Sequence, residues 1–282
     1  PLSLSRKPWM ANSPWGVGRR VETMRSIFMA GSFSAALSPH AGKPGPERAD
    51  FRPQTVEMPM SKTLEFRRPD GATLSGHFAE AEQPVGAIVV IQEWWGLNDQ
   101  IRGVAERFAR AGFTALVPDL YRGQSTVEAE EAHHLMTGLN FGEAAAQDVR
   151  GAVQHLKSLG LGSGKVGVTG YCMGGALTLL SSMLVPEADA AVVWYGMPPL
   201  EFVDASKIRI PLQAHWATQD EFFAISGVDG LEAKLAEAGV RYEGHRYLAH
   251  HAFANETAQG AGRIPQTQYD ATWAQLAWDR AM

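Results

Sequence analysis

The sequence predicts an α/β fold in which a mainly parallel sheet carries helices on both faces. Three observations point there. Short continuous apolar runs, such as Gly86-Ala87-Ile88-Val89-Val90-Ile91-Gln92, have the length and composition of strands buried on both sides. Between them lie stretches with apolar residues at helical spacing, such as Ile101, Val104, Ala105 and Phe108. Glycines and capping residues punctuate the alternation, and strands alternating with helices specify a parallel sheet with its sites at the strands' carboxyl ends.

Each element follows from local chemistry. Asn98 is placed to cap the helix that carries Ile101 to Phe108, and Gly112 ends it. Residues 113–120 form the next strand. Helical stretches are expected at about 127–138 and 142–159, then a strand at 165–171. A helix opening at Gly174-Gly175 and running to about Val185 precedes a strand at 190–195. A strand at 212–217, a helix at 228–238 and a strand at 242–248 complete the series. Residues 269–282 read as a helix that the end of the chain interrupts, so truncation is expected there.

The first 59 residues read differently. They are rich in Pro, Ser, Gly and Arg, with no sustained apolar period, so a disordered extension is expected before an α/β domain spanning 60–282. Met24 to Leu37 has a weak likeness to a secretory signal: one arginine, and an apolar stretch broken by Gly31, Ser32 and Ser34. The preferred reading places the native start near Met58 or Met60 and the protein in the cytoplasm. The composition, 45% hydrophobic and 20% charged with a net charge of −5, offers no basic block for nucleic acid or an anionic membrane. A single cysteine leaves no intrachain disulfide framework and fits a reducing compartment. A monomer acting on a small molecule, without metal or cofactor, is expected. His133-His134 point in different directions on a helix, and His215 lies within a strand, so neither suggests a metal site.

Chemistry enters at Gly170-Tyr171-Cys172-Met173-Gly174, between a predicted strand and a predicted helix. This is the setting of the G-x-S-x-G nucleophile elbow of α/β-hydrolases, with sulfur in place of oxygen. The glycines leave room for a sharp turn, and the following helix aims free N–H groups and its positive end at the sulfur. In this fold the acid and then the histidine follow the nucleophile along the chain. The strand 212–217 runs into Asp220-Glu221, and the strand 242–248 runs into His250-His251. One member of each pair is the candidate acid and base.

These residues resemble the dienelactone hydrolase family over about 64–282. The likeness rests on Gln92-Glu93-Trp94-Trp95-Gly96-Leu97-Asn98, Pro118-Asp119-Leu120-Tyr121, Lys165-Val166-Gly167, Gly170 to Gly175, Asp220 and His251-Ala252-Phe253. The resemblance implies a Cys172, Asp220, His251 triad that cleaves a small ester or lactone through a thioester. It makes His251 rather than His250 the base, and Asp220 rather than Glu221 the acid. It also implies that Glu93 lies beside the cysteine and restrains the thiol until substrate binds. The N–H groups of Trp94 and Met173 would form the oxyanion hole.

The pattern departs from the family's lactone-specific members at the arginines that hold a substrate carboxylate. Arg122 follows Tyr121 slightly out of place, and Asn255 stands four residues past His251. Arg122, Tyr195 and Asn255 are therefore candidate substrate contacts, and Trp94, Trp95, Trp194 and Tyr195 a candidate aromatic mouth. A promiscuous carboxylesterase and a non-catalytic receptor on the same scaffold are the competing readings.

Overall fold

The computed structural model describes residues 24–29, 59–260 and 263–282. The remaining residues of the expected N-terminal extension lie outside that set. Within it, Met24–Met29 forms a short helix, α1, and Met24 is buried in a core cluster.

Eight strands form one sheet: β1 (Met60–Arg67), β2 (Thr73–Glu80), β3 (Gly86–Ile91), β4 (Phe113–Pro118), β5 (Val166–Tyr171), β6 (Ala190–Trp194), β7 (Leu212–Ala217) and β8 (Tyr242–Tyr247). Their spatial order is β1-β2-β4-β3-β5-β6-β7-β8. From β4 to β8 every neighbouring pair is parallel, while β1 and β2 form an antiparallel edge joined to β4. The sequence reading contained neither edge strand. β1 is exposed or half-buried along most of its length and buries only Phe66, so it lacks the apolar run that marks the inner strands.

The helices are α2 (Asp99–Arg110), α3 (Ala129–Gly138), α4 (Phe141–Glu143), α5 (Arg150–Ser158), α6 (Met173–Leu184), α7 (Ile225–Glu237) and α8 (Ala271–Ala281). Alternate side chains of β3 divide the core between the two faces. Ile88 and Val90 join Ile101 and Phe108 of α2 and Ala277 of α8. Val89 and Ile91 join Val153 of α5 and Leu177 of α6. A third cluster seats Leu231 and Leu235 of α7 against Ala214 and Trp216 of β7. Asn98 caps α2 by accepting from the Ile101 N–H at 3.2 Å. The single helix expected over 142–159 is interrupted by a π-helical stretch, Ala144–Val149, between α4 and α5.

The order in which the chain adds strands reverses at β3, which is followed by β4 on one side and then by β5 on the other. The crevice outside the carboxyl ends of β3 and β5 is thus the switch point where open α/β sheets bind ligands.

Candidate active site

Cys172 sits where β5 turns into α6. Its backbone has φ 55° and ψ −117°, a left-handed conformation that an L-residue adopts at a cost and that lifts the side chain off the sheet. The turn needs glycine on every side. A Cβ on Gly170 would lie 2.3 Å from the Gly174 carbonyl oxygen, and one on Gly174 would lie 2.4 Å from that of Ile91. Further along, a Cβ on Gly196 would overlap the Cys172 carbonyl oxygen at 1.8 Å. Arg122, Tyr195 and Ala252 also have positive φ, so four loops around this crevice carry backbone strain.

His251 follows β8 and Asp220 follows β7, neighbours in the parallel sheet. The His251 Nδ1 lies 2.8 Å from Asp220 Oδ2, and the ring lines the same cavity as Cys172. The other Asp220 oxygen accepts from the Phe222 and Phe223 N–H groups at 2.8 and 3.0 Å, which fixes the carboxylate. Tyr195 and Phe222 meet the imidazole edge-on, with centroids 5.2 and 4.9 Å away. Burial alone would lower the His251 pKa. The negative charge of Cys172 and the hydrogen bond and charge of Asp220 outweigh it and raise the value to about 10. The alternatives lie outside this cluster: Glu221 is exposed, and neither it nor His250 lines the adjoining cavity.

Glu93 follows β3 and is buried. Its Oε1 accepts from the Tyr195 hydroxyl at 3.1 Å and its Oε2 from Asn255 Nδ2 at 2.8 Å. Burial raises its pKa, opposed by the nearby His251 charge and by these two donors. The N–H of Met173, first in α6, has no carbonyl a turn earlier within its helix. Trp94 lies inside a turn closed by the Gly96 N–H on the Glu93 carbonyl at 3.3 Å, so that bond leaves its own N–H uncommitted. Both residues line a cavity of about 830 Å³ that also contains Cys172, His251 and Glu93.

The expected substrate contacts are placed differently. Asn255 is 2% exposed and its amide is committed to Glu93. Tyr195 is fully buried behind His251 rather than in the mouth, because its hydroxyl turns to Glu93. Trp194 is buried too, stacked between Tyr171 and His215 at 5.0 and 4.3 Å. Arg122 does not line the cavity. Its Nη2 lies 3.0 Å from both oxygens of Asp148, a buried residue of the π-helical stretch. Trp94 and Trp95 remain at the cavity. Met197, Phe222, Phe223 and Ile264 join them from loops whose sequence carried no signal.

The chain is similar to several known proteins. A curated relative from Aquifex pyrophilus, Protein usf, is 32% identical over 78% of this chain and 95% of its own length. The carboxymethylenebutenolidase of Pseudomonas putida is 30% identical over 79% of this chain and 95% of its own. A crystal structure of a dienelactone hydrolase-like promiscuous phosphotriesterase from metagenomic libraries superposes with a TM-score of 0.68. That structure is 24% identical and covers 78% of this chain and 95% of its own, and it speaks to the fold alone. The model of the dienelactone hydrolase family matches residues 74–282, and the chain therefore belongs to that family, as a carboxylic ester hydrolase of the α/β-hydrolase superfamily.

Proposed function

We propose that the protein hydrolyses small esters or lactones through a thioester on Cys172, with His251 as base and Asp220 as the group that orients it. The observation that carries this reading is the 2.8 Å pairing of His251 with Asp220, on a ring that lines the same cavity as Cys172.

In the resting site the Cys172 proton already lies on His251, whose imidazolium is held between the thiolate and Asp220. The thiolate attacks the substrate carbonyl, and its oxygen becomes an anion that accepts from the Trp94 and Met173 N–H groups. Each such donor contributes roughly 3 kcal/mol to lowering the barrier. His251 gives its proton to the leaving oxygen and then activates water, which splits the thioester. Glu93 faces the same cavity, and its buried negative charge opposes thiolate formation. Its attachment to Asn255 and Tyr195 supports a fixed rather than swinging carboxylate in the unliganded protein.

Arg122, turned onto Asp148, and Asn255, standing where the family's lactone-specific members carry an arginine, favour a second reading within the same chemistry, a carboxylesterase without preference for an anionic dienelactone. The test of the common mechanism is p-nitrophenyl acetate turnover with and without iodoacetamide. Because the chain has one cysteine, alkylation reports on Cys172 alone. Stoichiometric alkylation is expected to abolish turnover, as is Cys172→Ala. Undiminished turnover in that variant refutes a cysteine nucleophile.

A further inference from the structure

The cavity's charge and shape indicate which substrates it takes, an inference that rests on the hydrolase reading above and extends it. We infer that the site selects uncharged esters or lactones with a substantial apolar acyl portion, and disfavours those ending in a carboxylate.

Three observations lead there. First, the cations that would meet a carboxylate are occupied or absent. Arg122 is held by Asp148 and by the Asp119 carbonyl at 3.0 Å, away from the cavity. Asn255 is neutral and committed to Glu93. Among the described residues Arg263 is the one arginine or lysine lining the cavity, and its Nη1 is folded onto the backbone carbonyls of Ile264, Pro265 and Thr267. Second, the two carboxyl groups that line the cavity, Glu93 and Asp99, offer an anionic substrate no positive charge. Third, the walls are apolar, with Trp95, Met136, Phe141, Met197 and Ile264 among them. At the rim Val127 is 85% exposed and Phe222 48% exposed, an apolar lip that bare solvent does not favour. A volume of about 830 Å³ is well beyond what an acetyl group needs and falls in the range of drug-sized ligand pockets.

A carboxylate pushed into such a site loses its water without meeting a lysine or arginine built to receive it, whereas each added methylene gains by leaving water. The inference predicts that kcat/KM rises about three- to fourfold per methylene from p-nitrophenyl acetate until the cavity is filled. Val127→Asp should lower the ratio of hexanoate to acetate kcat/KM.

The deciding experiment compares p-nitrophenyl hexanoate with mono-p-nitrophenyl glutarate, which is similar in length but ends in a carboxylate. It uses wild type and Cys172→Ala. The expected result is Cys172-dependent turnover with the neutral ester favoured at least tenfold. Cys172-dependent turnover with the glutarate equal or better overturns the substrate class and leaves the hydrolase reading standing. In that case loss of the glutarate advantage in Arg263→Gln identifies that arginine as the anion site. Turnover undiminished in Cys172→Ala overturns the mechanism instead. Preference is also read without turnover, by titrating Cys172→Ala with ethyl hexanoate and with monoethyl adipate and following tryptophan fluorescence. Tighter binding of the adipate overturns the inference, and tighter binding of the hexanoate supports it.

Discussion

His251 is buried, yet the groups around it favour its charged form. Burial works against the imidazolium, but the Cys172 charge and the hydrogen bond and charge of Asp220 override it and carry the pKa from 6.5 to about 10. The sign of the linkage follows. Because the folded value lies above the unfolded one, the stabilisation is complete below about pH 6.5 and is lost as pH rises toward about 10. Denaturation midpoints of wild type and His251→Gln should therefore differ most at pH 6 and converge toward pH 10. A gap that widens with pH contradicts this protonation state. The NMR signal of the His251 ring should likewise show no deprotonation between pH 6 and 8. Cys172 and the pairs Asp220-Glu221 and His250-His251 stood out in the sequence because they lie just past strand ends in a fixed order, while the choice within each pair and the interest of Glu93 came from the resemblance to the family. Asn255 was legible only as an arginine's replacement. Its role toward Glu93 depends on a contact across 162 residues, which no local spacing reveals.

At the level of elements, the most informative displacement is that of Arg122. It has φ 56° and reaches back to Asp148, which lies in the π-helical stretch and also takes Arg68 Nη1 at 3.1 Å. The loop after β4 is thereby tied down, and it is stitched in turn to the loop after β3. Thr126 N–H donates to the Trp95 carbonyl at 3.0 Å, and Ser125 bridges Gly96. A Cβ on Gly96 would lie 2.6 Å from the Gln124 carbonyl oxygen, so the two loops are in full contact. The Trp94 N–H proposed for the oxyanion hole is carried on this assembly, and small misplacements of such groups are costly. Arg122→Gln is expected to lower kcat on p-nitrophenyl acetate about tenfold to a hundredfold. The rate of Cys172 alkylation by iodoacetamide, a reaction with no oxyanion, should stay within about twofold of wild type. Equal losses in both rates assign the ion pair to general stability instead. None of this was readable beforehand. A run such as Ala144-Ala145-Ala146 predicts a helix of either hydrogen-bond period, and the one adopted depends on what Asp148 must reach. The edge strands β1 and β2 escaped for a related reason, since a sheet edge needs little apolar sequence and its pairing partners lie elsewhere in the chain.

Across the whole molecule, the site belongs to no single piece of the chain. Glu93 and Trp94 come from the end of β3, Cys172 from β5, Tyr195 from β6, Asp220 from β7 and His251 from β8. These strands are consecutive in space, so the geometry is set by a register that runs across the sheet, for example Ile91 beside Gly170 and Ala217 beside Tyr247. His251 is held further by the Gln268 N–H on its carbonyl at 2.9 Å, which links the site to the segment before α8. The aromatic wall behind it continues from Tyr195 through Phe253 and Tyr247 to Trp273 of α8. Such a site should not come apart before the sheet does. Loss of ester turnover in urea is therefore expected to track the loss of far-ultraviolet circular dichroism, with coincident midpoints. The alternative is a local opening of the loops around Phe222 and Ile264, which would leave the sheet intact. Turnover lost well below the unfolding midpoint, while alkylation of Cys172 accelerates, would place the rigid part of the site in the elbow and its labile part in the cavity wall.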